Sequence, residues 1–180
     1  MIEARPTSLV IHTIGHSTHT ADAFVALLQS HGILQVADVR AHPQSKRHPH
    51  FGKDALERLL GAAGIRYRHF PGLGGHRKPR PDSVNTGLRH PSFRGYADYM
   101  LTEPFRTSVA ALETFSAGSP TAVMCAEAVW WKCHRRLLSD ALFVRSVEVR
   151  HILSGAAAKP HELSEFARAD AAGVTYPGLV

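Results

Sequence analysis

The feature that most limits the fold is an alternation of short apolar runs with stretches whose apolar residues recur every three or four positions. Ser8–Ile14 (SLVIHTI), Ile33–Val39 (ILQVADV), Ile65–Phe70, Thr121–Met124 and Val147–Leu153 are short runs bounded by turn residues and are read as strands. Between them, Thr20 offers a hydroxyl cap, and Phe24, Leu27, Leu28 and His31 follow with helical spacing. Gly32 is placed to end that helix in the left-handed conformation. Leu56, Leu59, Leu60 and Ala63 repeat the logic between Gly52 and Gly64. Ser92–Met100, Glu103–Phe115 and Arg135–Phe143 are also read as helices, the second with Thr102 as cap and Pro104 in its first turn. This order predicts an α/β fold: a single domain over 8–153 with a mostly parallel sheet flanked by helices, Rossmann-like and three-layered. Residues 154–180 read as a C-terminal appendage with one short helix near Pro160–Ala172.

Several classes are excluded. No stretch approaches the roughly 20 apolar residues of a membrane span. Met1–Pro6 lacks a basic region followed by an apolar one, so no secretory leader is expected. The two cysteines, Cys125 and Cys133, cannot make a disulfide framework, which predicts a cytoplasmic, reducing setting.

Charge is distributed unevenly. The chain has 21 Lys and Arg against 15 Asp and Glu, and 13 His. Residues 40–94 hold 12 of those cations and 3 of the acids, leaving 9 and 12 for the rest. One central, loop-rich block therefore makes the protein basic. A solvated basic surface would account for it. So would a loop system meeting an anionic small molecule or nucleic acid. Aromatic residues in the block are too scattered to announce a base-stacking platform.

In parallel α/β sheets, ligands bind beyond the carboxyl ends of the strands. Three predicted strands deliver polar side chains there: His16 and Ser17, Asp38 and Arg40, and Cys125 with Glu127. A thiol after a strand, followed by Lys132-Cys133-His134-Arg135-Arg136, matches surroundings that stabilise a thiolate. Cys125 reads either as a buried apolar residue or as a nucleophile. Asp38 and Arg40 form either a structural ion pair or an anion clamp. The spacing of Cys125 and Cys133 does not match the Cys-x5-Arg loop of cysteine phosphatases, and no glycine run aims backbone donors at a phosphate. Cys125, Cys133 and His134 have the chemistry of a zinc site, against which stands the adjacency of Cys133 and His134.

These residues also carry a resemblance. Thr13-Ile14-Gly15-His16-Ser17, Asp38-Val39-Arg40, Pro43-x-Ser45-x-Arg47 with Phe51, and Gly64-Ile65-x-Tyr67 occur in order. They are followed by Leu73-Gly74-Gly75, Tyr96-Ala97-x-Tyr99-Met100, Met124-Cys125-Ala126-Glu127 and Cys133-His134-Arg135. Over about residues 12–153 the chain resembles the family known as domain of unknown function 488. The resemblance implies a bacterial or archaeal single-domain α/β protein with these motifs grouped at one site, and implies no reaction. Between Glu127 and Cys133 a polar linker is expected from the family, whereas this chain has Ala128-Val129-Trp130-Trp131-Lys132.

Three functions follow as expectations. The first is an enzyme with an anionic, nucleotide-like or nucleic-acid-derived substrate. In it Cys125 is the nucleophile or redox thiol, Glu127 and His16 handle protons, and Ser17, Asp38, Arg40, Ser45, Arg47, His134 and Arg135 hold the substrate, with no cofactor. The second is a nucleic-acid-binding module using residues 40–94. The third is a zinc-binding protein.

Overall fold

In the computed structural model, which describes residues 9–178, the strand β4 (Thr121–Cys125) is buried along its whole length in mid-sheet. The strand order is β3 (Arg66–His69), β2 (Gln35–Asp38), β4, β1 (Val10–Gly15), β5 (Glu148–His151), β6 (Lys159–Pro160). The first five run parallel, and β6 is antiparallel to β5. Strands covered on both faces must be apolar nearly throughout, as the run Thr121-Ala122-Val123-Met124-Cys125 is. Ser8, expected to begin the first strand, and Met1–Pro6 lie outside the described residues.

Helices α1 (Ala21–Ser30) and α2 (Lys53–Ala62) cover one face through Phe24, Leu28, Leu56 and Leu60, packed on Ile14, Val36, Ala122 and Met124. Helices α3 (Pro91–Met100), α4 (Glu103–Ser116) and α5 (Arg135–Val144) cover the other, against Ile11, Ala37, Val39, Val123 and Val149. The result is a single three-layer α/β domain, as the strand–helix order predicts. The cap on α1 is also as expected: Thr20 Oγ1 accepts from Ala23 N at 3.2 Å, and Gly32 ends the turn at φ 64°. Thr102 differs. It precedes α4, but its hydroxyl donates back to the Tyr99 carbonyl at 2.7 Å instead of capping the new helix.

The largest departure from expectation is the tail. No helix forms over 160–172. Instead β6 joins the sheet edge, and β7 (Arg168–Asp170) and β8 (Gly173–Thr175) form an antiparallel hairpin. Ala167, Val174 and Tyr176 are buried in the α3–α5 core. The reason is a set of polar contacts that a helix would forfeit. Buried Asp140 on α5 accepts from His161 Nε2 (2.9 Å), Ser164 Oγ (2.7 Å) and the Tyr176 hydroxyl (2.7 Å). His161 Nδ1 in turn accepts from His151 Nε2 at 3.0 Å, and His151 Nδ1 from the Thr13 hydroxyl at 2.7 Å. A buried carboxylate needs several donors, and the tail supplies three of them. Asp170 closes the hairpin by accepting from Ala172 N at 2.8 Å.

Candidate functional site

The chain leaves β1 and β2 toward α1 and α2 on one face, and leaves β4 toward α5 on the other. A crevice is therefore forced open beyond the end of β4, the place where ligands bind in sheets of this kind. A cavity of about 550 Å³ lies there, within the range of small-molecule sites. His16, Arg40, Ser45, Cys125, Glu127, Cys133 and His134 line it. Ser17, Asp38 and Arg135 do not, although each bonds to or adjoins a lining residue, and Arg47 is exposed outside it.

The β1 and β4 ends are clasped by the backbone: His16 N donates to Cys125 O and Ser17 N to Ala126 O, both at 2.9 Å. Gly15 makes that approach feasible. A Cβ there would lie 1.7 Å from the Glu127 carbonyl oxygen. Ser17, at φ 47°, takes a left-handed turn that non-glycine residues seldom adopt.

Asp38 and Arg40 resolve as a buried ion pair. Arg40 Nε donates to Asp38 Oδ1 at 2.9 Å and Nη2 to Oδ2 at 2.6 Å. Arg40 Nη1 donates to Phe51 O at 2.7 Å, and the Tyr67 hydroxyl to Asp38 Oδ2 at 2.7 Å. With its donors so engaged, Arg40 supplies positive charge to the cavity wall and has little capacity left to grip an anion directly. His16 is held equally firmly. Its ring stacks on Phe51 at 4.2 Å, its Nδ1 donates to Ser17 O at 3.0 Å, and its Nε2 faces Arg40 Nη1 at 3.4 Å. Burial lowers its pKa to about 4, so it is neutral at neutral pH.

Cys125 ends β4, and Cys133 lies just before α5. Their sulfurs and a ring nitrogen of His134 all lie within 4.8 Å of one another. Cys133, extended at φ −128°, precedes His134 at φ −58°; this turn into the helix brings Cys133 Sγ and His134 Nδ1 to 3.6 Å. Adjacency in sequence is therefore no bar to convergence. His134 Nε2 donates to Val39 O at 3.2 Å, which turns the lone pair of Nδ1 toward the sulfurs. Arg135, 1% exposed, directs Nε to Cys133 Sγ at 3.5 Å and Nη2 to the Glu127 carbonyl. The two thiols are thereby made unequal. A hydrogen bond from Cys125, with the Arg135 guanidinium nearby, lowers the pKa of Cys133 despite burial. The same hydrogen bond and burial raise that of Cys125.

The lining also includes His42, His76, His90 and Lys132, the aromatic Phe93 and half-exposed Trp131, and small or neutral residues such as Gln44 and Ser92. Glu127 is exposed at the mouth. Trp130 points elsewhere, stacking on His151 at 4.0 Å. Much of the basic block is spent away from the cavity. Arg68 covers Phe70 at 4.8 Å and Arg77 covers Tyr99 at 3.8 Å. Sequence reasoning missed the inequality of the thiols, although the consecutive Cys133-His134-Arg135 carried a signal for it. It did not single out His90 as a lining residue, which nothing local marks. Among the described residues, no helix is long and apolar enough to cross a membrane.

A family model described as "Domain of unknown function DUF488" matches residues 20–142, a span that includes the Asp38–Arg40 pair, both cysteines and His134. The Thr13–Ser17 motif and the tail fall outside that span. No curated protein and no solved structure matches the chain.

Proposed function

The chain belongs to the DUF488 family, and from the geometry of its site we propose that it is an enzyme acting on a small anionic substrate through the Cys133 sulfur. The observation that carries this reading is the Arg135 guanidinium set 3.5 Å from Cys133 Sγ at the wall of the strand-end cavity. A cation behind a thiol favours the nucleophilic thiolate. Lys132 supplies a positive charge for the substrate, and the lining histidines supply ring N–H donors. Cys125, the nucleophile expected from sequence, becomes the protonated partner in this reading, and Glu127 is the carboxylate free to exchange protons at the mouth. Two free thiols at a working site also fit a reducing, cytoplasmic setting.

Alkylation of the intact protein at pH 6 tests this, since an ordinary thiol of pKa about 8.5 is only ~0.3% ionised there. Cys133 should be carboxymethylated first. The rate ratio of anionic iodoacetate to neutral iodoacetamide should exceed that of free cysteine at least tenfold. Labelling that goes to Cys125, or a ratio equal to that of free cysteine, removes the proposal.

One observation favours a second reading. His134, with Nε2 bonded to a backbone carbonyl and Nδ1 facing two thiols, has the orientation that zinc-ligating histidines adopt. The donor set fits a Cys2His site open to the cavity. One zinc per chain in protein purified without added metal, lost in Cys133→Ser, would establish it.

A further inference from the structure

Two sulfurs within 4.8 Å of each other, both lining one cavity, provide more than a single nucleophile requires. A lone thiolate needs a cation and access, which Arg135 and the cavity give Cys133. The presence of Cys125 in reach, with His134 beside both sulfurs, adds the means to remove whatever becomes attached to Cys133. Cavity size and charge narrow the substrate. A volume of about 550 Å³ far exceeds what a peroxide or simple oxyanion fills, given the ≈ 30 Å³ share of one water molecule. Lys132 and the ring N–H groups of the lining histidines offer donors to a carboxylate, and Trp131 and Phe93 offer apolar faces.

Resting on the enzyme reading above, we propose that Cys125 and Cys133 form a dithiol couple that reduces small carboxylate-bearing disulfides. The Cys133 thiolate attacks one sulfur of the substrate disulfide, forming a Cys133–substrate mixed disulfide and expelling the other half as a thiolate. Cys125 then passes its proton to His134, and its sulfur attacks Cys133 Sγ. The Cys125–Cys133 disulfide forms, and the second half leaves as a thiolate. His134 returns the proton to one leaving thiolate, and solvent protonates the other. The substrate gains two electrons and the protein loses two, which an external dithiol reductant restores. Closure to an S–S bond of about 2.05 Å requires the Cys133 side of the pair to move with the short 3₁₀ turn Trp130–Lys132 that precedes it.

The test uses the reduced full chain and the anionic aromatic disulfide dithiobis(nitrobenzoate), with released thionitrobenzoate read by absorbance and the protein by intact mass. Wild-type protein is expected to release two equivalents and finish without an adduct, lighter by two hydrogens. Cys125→Ser should release one equivalent and keep the adduct at Cys133. Cys133→Ser should react at least tenfold more slowly. Dithiothreitol should return the oxidised wild type to its starting mass. A stable adduct on wild-type Cys133 overturns the dithiol step and leaves the single-thiol enzyme standing. First attack at Cys125, or two stable adducts per chain, overturns both. Bound zinc that blocks the reaction until chelated overturns the couple in favour of a metal site.

Discussion

Acid should weaken this fold well above the pH at which carboxylates titrate, and His151 is a main cause. Its imidazole is buried against Trp130 and hydrogen-bonded on both nitrogens, to Thr13 and His161. Burial foremost, then His161 and Arg135 nearby, lower its pKa to about 3, with Asp140 opposing. An unfolded histidine titrates near 6.5, so the unfolded chain binds the proton first. Stability from this group is whole above pH 6.5 and is lost as pH falls from 6.5 toward 3. At about 1.4 kcal/mol per unit, the loss reaches roughly 3 kcal/mol by pH 4.5. His16, lowered to about 4 by burial, adds a comparable loss over the same interval. Wild-type protein should thus lose about 5 kcal/mol between pH 7 and 4.5, a large share of a typical 5–15 kcal/mol. His151→Phe keeps an aromatic ring beside Trp130 but cannot take the proton. It should start less stable at pH 7, because Thr13 and His161 each lose a partner, and then lose only about half as much on acidification. Urea unfolding at half-unit pH steps, followed by circular dichroism, gives both slopes. Parallel slopes for the variant and wild type would refute the assignment.

Two further perturbations probe how the site is held. Gly15→Ala places a Cβ 1.7 Å from the Glu127 carbonyl oxygen, so the loop toward Cys133 must retreat by more than an ångström. A cost of about 1–3 kcal/mol and slower Cys133 alkylation are expected; wild-type melting together with unchanged labelling would show that the contact does not matter. Asp38→Ala strands the buried Arg40 cation and should cost about 3–5 kcal/mol in urea unfolding. A cost below 1 kcal/mol would mean that Arg40 finds another partner or reaches water.

Much of the architecture was legible because it rests on local rules. Thr20 before Phe24, Leu27 and Leu28, with Gly32 after them, specifies one helix and its end through hydrogen bonding and backbone sterics alone. The apolar run Thr121–Met124 specifies a strand buried on both faces. The strand-end cavity was legible by the same reasoning, since parallel α/β sheets open crevices beyond the strand ends, and Cys125, Glu127 and His16 line one there. The roles of individual residues were less legible. Asp38 at the end of β2 and Arg40 two residues on looked equally like a clamp or an ion pair until Phe51 and Tyr67 closed around them.

The tail shows the limit most clearly. Residues 160–172 are read locally as a short helix, yet they run from the end of β6 through irregular chain into β7. Asp140, His151 and Thr13 come from α5, β5 and β1, and they demand donors and acceptors at fixed places. The thiols followed the same rule. The sequence by itself determined the order of strands and helices, the strand-end rim and the residue types delivered there. Only the tertiary structure decided that Arg135 stands behind Cys133 and that Arg40 is tied to Asp38. Burial and partner geometry set the charge state of a side chain, and the groups responsible lie on different elements of the chain.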